Sequence, residues 1–151
     1  MTIAVDFDGT IVEHEYPKIG KPIPFALDVL KKLQQDRHKI ILWTMREGSL
    51  LQEAIDYCAK SGLTFYAHNR NYPEEEFREG DPRKLSADIF IDDRNIGGLP
   101  DWGIIYKIVK SGYNSMQGID MMMDNDRPNN MRKNWFTRVG EALDKSRGYR
   151  Y

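Results

Sequence analysis

The chain has 151 residues, with 22 Lys and Arg against 23 Asp and Glu, for a formal net charge of −1 with histidine neutral. That length suits one domain that buries its own core without disulfide or metal staples, and the even charge balance supplies no general basic field for nucleic acid or an anionic membrane surface. A single cysteine, Cys58, excludes an internal disulfide framework and fits a reducing compartment.

At the N-terminus, residues 2–7 form a mostly apolar, β-branched run that stops at Asp6, Asp8 and Gly9. This is the pattern of a buried strand ending in a loop. The two carboxylates stand where a signal peptide would need an apolar stretch, and no apolar run approaches the ~20 residues of a membrane-spanning helix. A cytoplasmic protein without membrane contact is expected.

Over residues 24–35, Ala26, Val29, Leu30 and Leu33 recur at helical spacing, with Pro22 and Pro24 at the start. Residues 39–44 read as a second buried strand. A second amphipathic helix spans 49–60, with Leu51, Ala54, Ile55 and Cys58 on one face and Gly62 closing it. A short third strand is expected over 63–67, then an acidic, proline-bearing excursion over 69–82, a fourth strand over 87–91, and a helix over 101–110. Alternating strands and helices predict an α/β fold, a Rossmann-like three-layer sandwich around a mainly parallel sheet. Residues 1–113 form the core in this reading. Residues 114–151 form a C-terminal extension, helical where Trp135, Val139 and Leu143 repeat every four residues and locally basic.

Ligands in such sheets bind beyond the carboxyl ends of the strands, and three of the four expected strands end there in polar groups: Asp6 and Asp8, Thr44, and Asp92 and Asp93. A carboxylate can attack phosphorus when a metal offsets its repulsion from an anionic substrate. A second carboxylate two residues on can exchange protons with the leaving oxygen and with water. Gly9 permits the tight turn, and Thr10 can hold the loop by hydrogen bonding. Thr44 offers a hydroxyl to a phosphoryl oxygen, and Lys84 an ammonium to balance the acids. Asp92 and Asp93 would complete a hard oxygen-ligand site. So many carboxylates together would raise a pKa unless a cation such as Mg²⁺ joined them.

The ordered set Asp6-x-Asp8-Gly9-Thr10, Thr44, Lys84, Asp92-Asp93 resembles the four motifs of the haloacid-dehalogenase phosphatase superfamily, over roughly residues 1–110. The resemblance implies that Asp6 is the nucleophile and a Mg²⁺ ligand, and that Asp8 is the general acid/base, ligating metal through its backbone carbonyl. It implies that Thr44 and Lys84 bind the transferring phosphoryl group and that Asp92 or Asp93 completes the metal site. Asp8 matches the phosphatase and phosphotransferase branch rather than the dehalogenase pattern. Neither position used by the family for caps has room for one: residues 11–24 suit a short flap. A minimally capped enzyme follows, with an open site closed by homo-oligomerisation or by the bulk of its substrate.

Gly9, Thr10 and Arg46 are the expected substrate-binding residues. Arg46, two residues beyond Thr44, either clamps a substrate phosphate or pairs with a neighbouring acid. The segments 44–47, 81–84 and 91–94 also resemble the phosphatase half of phage polynucleotide kinases, so a nucleic-acid 3′-phosphate stands as an alternative to a small phosphorylated molecule. His14, His38 and His68 lack metal-ligand spacing, although His14 lies in the flap near the first motif. Asn69, Arg70 and Asn71 either line the cleft or form a polar turn, and Met121 to Met123 read as packing or an oligomer contact. A response-regulator receiver uses similar residues in another order, with a lone Asp ending the third strand; none is present there. A binding protein that has lost catalysis on this fold is the remaining alternative.

Overall fold

The structure, a computed structural model, describes residues 1–112. The expected C-terminal helix and the Met121 to Met123 run lie outside the described residues. The chain divides into Met1–Tyr106 and Lys107–Tyr151, and the sheet, the first two helices and the site below belong to the first unit.

Four short strands, β1 (Thr2–Val5), β2 (Lys39–Leu42), β3 (Ala67–His68) and β4 (Ile89–Ile91), form an all-parallel sheet in the order β3-β2-β1-β4. Three helices, α1 (Ala26–Gln35), α2 (Gly48–Lys60) and α3 (Trp102–Lys110), follow β1, β2 and β4 in sequence. The flanked parallel sheet is the three-layer α/β arrangement expected.

Parallel strands covered on both faces read as continuous apolar runs, and Ile3, Ala4 and Val5 in β1 and Ile40, Ile41 and Leu42 in β2 are all buried. Register places Ala4, Ile41 and Ala67 side by side. With Leu85 they form one core cluster, against which Trp43, Ala87 and Phe90 pack.

Both long helices end in a Schellman turn, in which a left-handed residue lets two amides reach back to otherwise orphaned carbonyls. At the end of α2 this residue is Gly62 (φ +82°), and the Gly62 and Leu63 amides donate to the Ala59 and Cys58 carbonyls at 2.9 and 3.0 Å. Leu63 and Cys58 are both buried, the apolar pair that usually accompanies the motif. Leu63 therefore caps a helix instead of opening a strand, and β3 starts four residues later than its apolar pattern suggested. At the end of α1 the left-handed residue is Arg37 (φ +66°), whose amide and that of His38 donate to Gln34 and Leu33 at 2.9 and 3.0 Å.

A side chain in this region costs about 1–2 kcal/mol, and exposed Arg37 makes no ion pair among the described residues. Arg37→Gly is thus expected to stabilise the protein by about 0.5–1 kcal/mol, after allowance for the freer unfolded chain. Urea denaturation with an unchanged slope checks this. A lower midpoint would show that the arginine stem contributes more than its backbone strain costs.

Candidate metal and phosphoryl site

The chain lays down β1, β2 and β3 in one direction, then returns to place β4 on the other side of β1. Strand order reverses between β1 and β4, which opens a crevice at their carboxyl ends. Asp6 follows β1 directly, its amide donating to the Ile91 carbonyl at 3.0 Å, and Asp92 follows β4.

One carboxylate oxygen from each of Asp6, Asp92 and Asp93 lies within 4.8 Å of the others. Gly9 (φ +92°) makes that convergence possible, since a Cβ there would stand 2.4 Å from Asp93 Oδ2. Thr10, fully buried, stitches the two loops together: its Oγ1 accepts from the Asp93 amide at 3.1 Å and donates to Asp6 Oδ2 at 3.4 Å. Gly9 and Thr10, expected to contact substrate, shape the site from beneath, and neither is among the residues that line the cleft.

Asp93 Oδ1 is buried without a hydrogen-bond partner. Buried polar atoms seldom go unpaired, and three converging hard oxygen donors with one unsatisfied atom fit a divalent cation. Burial is the first cause that lifts the Asp6 carboxyl from the usual 3.8 to about 6, with the charges of Asp92, Asp93 and Asp8 adding to it; a hydrogen bond to the Phe7 backbone works the other way.

Asp8 is held apart from this trio. Arg46, without solvent exposure, grips both its carboxylate oxygens, Nε to Oδ2 and Nη2 to Oδ1, each at 2.7 Å. The same guanidinium donates to the Pro17 carbonyl from Nη1 at 2.9 Å and to the Lys18 carbonyl from Nη2 at 2.8 Å. Its carbon lies 5.1 and 5.4 Å from the ring centroids of Phe7 and Tyr16. Of its two expected roles, Arg46 takes that of an ion-pair partner: the guanidinium is committed to Asp8 and cannot clamp a substrate phosphate. Pro17 and Lys18 sit in the expected flap, whose base is closed by amide bonds from Glu13 to Lys21 and from Ile23 to Ile11, at 2.8 and 2.9 Å.

Beyond β2, the Thr44 amide donates to Asn69 Oδ1 at 2.8 Å and its Oγ1 accepts from the Arg46 amide at 3.2 Å. Asn69, left-handed at φ +52°, thereby fixes the loop that carries Thr44. Among the described residues no acceptor takes the Thr44 hydroxyl hydrogen.

An open cleft of about 740 Å³ is lined by Asp6, Asp8, Thr44, Asn69 and Asp92, together with His14, Tyr16, Trp43, Met45, Glu47, Arg83 and Arg94. His14 Nδ1 lies 3.4 Å from the Asp8 carbonyl. Lys84 is exposed and outside this lining. Arg83, one residue earlier, and Arg94, both exposed as well, are the cationic side chains that line the cleft. Residues 78–86 belong to no strand or helix, so no periodicity in the sequence told which of two adjacent cations would face inward. Tyr16, Arg83 and Arg94 were not singled out from the sequence. The available signals are the place of Tyr16 in the flap and of Arg83 and Arg94 inside the segments 81–84 and 91–94.

Two consequences concern stability. A raised carboxyl pKa favours the folded state below the unfolded value near 3.8, and that contribution disappears as pH rises through about 6. Asp6→Asn is therefore expected to stabilise the metal-free protein at pH 7.5, on the order of 2 kcal/mol after allowance for partial solvent access, with the advantage vanishing below about pH 4. Thermal melts across that range in the presence of a chelator test it, and a gain independent of pH would contradict it. Arg46→Met strands the Asp8 carboxylate beneath the flap, and a loss of about 3–5 kcal/mol is expected. Denaturant unfolding reads that loss, and Asp8→Asn in the same chain should restore part of it.

No protein-family model and no curated protein matches this chain. Among solved structures, the chain is similar to a conserved protein from Bacteroides thetaiotaomicron, at 62% sequence identity and a TM-score of 0.71, over 77% of this chain and 94% of that one.

Proposed function

We propose that this chain, which belongs to the family of the conserved Bacteroides thetaiotaomicron protein, is a Mg²⁺-dependent phosphomonoester hydrolase of the haloacid-dehalogenase type that works through an aspartyl-phosphate on Asp6. The observation that carries this reading is the convergence of Asp6, Asp92 and Asp93 at the β1/β4 switch point, with one buried oxygen unsatisfied.

Asp6, Asp92 and Asp93 are the residues that would hold Mg²⁺, which would neutralise their charge and offset the repulsion between Asp6 and an anionic substrate. An oxygen of Asp6 attacks phosphorus, the bond from phosphorus to the leaving oxygen breaks, and that oxygen takes up a proton. Water then attacks the same phosphorus, the bond to Asp6 breaks, and inorganic phosphate leaves with the carboxylate restored. Asp8, oriented by the Arg46 fork, is the group that exchanges protons with the leaving oxygen and with the water. Thr44 donates its hydroxyl to a phosphoryl oxygen, and Arg94, whose amide is bonded to Asp92 on the same loop, adds a cation to the one expected of Lys84. Charge stabilisation of this kind must carry much of the acceleration, since phosphomonoesters are among the slowest of all compounds to hydrolyse in water.

Purified protein with Mg²⁺ is expected to hydrolyse p-nitrophenyl phosphate, to lose that activity with chelator, and to lose roughly a thousandfold or more in Asp6→Asn. Activity that survives the substitution would remove Asp6 from the chemistry and sink the proposal.

A further inference from the structure

Arg83 and Arg94 both line the cleft, and neither has a carboxylate partner among the described residues. The Arg94 amide donates to Asp92 Oδ1 at 2.8 Å, so this arginine rides on the loop that carries two of the three clustered carboxylates. Arg83 lies elsewhere along the chain, its guanidinium 4.5 Å from the Phe77 ring centroid. That contact orients the side chain without neutralising it. One guanidinium beside the acids serves the transferring phosphoryl group, which leaves the other for a second anion on the substrate. A guanidinium fork matches a phosphate.

The same cleft presents apolar surface to solvent. Tyr16 is 51% exposed, backed by the Arg46 guanidinium, and Met45, next to Thr44, is 88% exposed. An aromatic ring held in place from behind is a platform for a flat heterocycle. The volume of about 740 Å³ is that of a site for a whole small molecule.

Resting on the phosphohydrolase reading, we propose that the substrate is a nucleotide bearing two phosphates, one presented to Asp6, the other held by Arg83, with its base on Tyr16. This chemistry occurs both in a free nucleoside bisphosphate and at the phosphorylated end of an oligonucleotide.

Calorimetric titration of the Asp6→Asn protein with Mg²⁺ measures recognition without turnover. Adenosine 3′,5′-bisphosphate is expected to bind about tenfold or more tightly than either adenosine 3′-monophosphate or fructose 1,6-bisphosphate. Arg83→Met in this background should bring it to the affinity of the monophosphate, and Tyr16→Ala should close the gap to the sugar bisphosphate. Arg83→Lys, which keeps the charge and loses the fork, covers the case in which the methionine variant folds poorly, and should lose part of the preference. A 3′-phosphorylated dinucleotide that binds as tightly as the bisphosphate assigns the site to strand ends, and weaker binding assigns it to the free nucleotide. Equal affinity for the three small phosphates, or a preference that survives both Arg83 variants, overturns the proposal. Wild-type turnover of p-nitrophenyl phosphate separates the two readings: its presence beside equal affinities leaves the hydrolase standing, and its absence beside an intact preference overturns the hydrolase alone.

Discussion

A guanidinium with no access to solvent must find its hydrogen-bond acceptors inside the protein, and Arg46 finds them in two separate stretches of chain, tying both to its own. Asp8 comes from the loop after β1, Pro17 and Lys18 come from the flap, and Arg46 itself leaves the end of β2. Breaking such a pair leaves an uncompensated buried charge, whereas keeping it fixes the positions of everything attached. The cleft is therefore framed by one cation. The flap, the loop after β1 and the loop that carries Thr44 cannot shift independently, and Asp8 is oriented by a partner that stays buried.

The other acids are handled in the opposite way. Asp6, Asp92 and Asp93 have no ion pair with a basic side chain among the described residues, and burial and mutual repulsion hold the Asp6 carboxyl near 6. Stability is given up locally where these carboxylates crowd together, an arrangement often found where function and folding compete. Gly9 allows the crowding sterically and Thr10 fixes it geometrically, so the strain is built in by small residues next to the acids.

Most of the architecture was legible because the parallel sheet writes itself as apolar runs and the helices as a repeat near four. The strands over 2–7, 39–44 and 87–91 and the helices over 24–35, 49–60 and 101–110 all have counterparts within a few residues. The third strand was misplaced because burial of Leu63 serves a helix cap, and an apolar residue does not announce which element it belongs to. Asp6, Asp92 and Asp93 could be expected together, since strand ends in such a sheet converge. The partner of Arg46 could not be read, because 38 residues separate it from Asp8 and only the fold decides which acid lies within reach. Nor could Arg83 be told from Lys84, as an irregular segment imposes no facing rule.

The place of β4 in the sheet also fixes a timetable. β1 and β2 pair early, through a connection containing α1, and Asp8 can meet Arg46 as soon as they do. The ladder to β4 joins residues far more remote: the Thr2 amide donates to Asp88 Oδ2 across 86 positions. Closing that loop is entropically the costlier step. A growing chain can thus complete the compensated half of its cleft before β4 brings the remaining carboxylates alongside Asp6. During synthesis the repulsive cluster can form only once β4 has been made, when the buried residues of β1, α1 and β2 are already available to bear it.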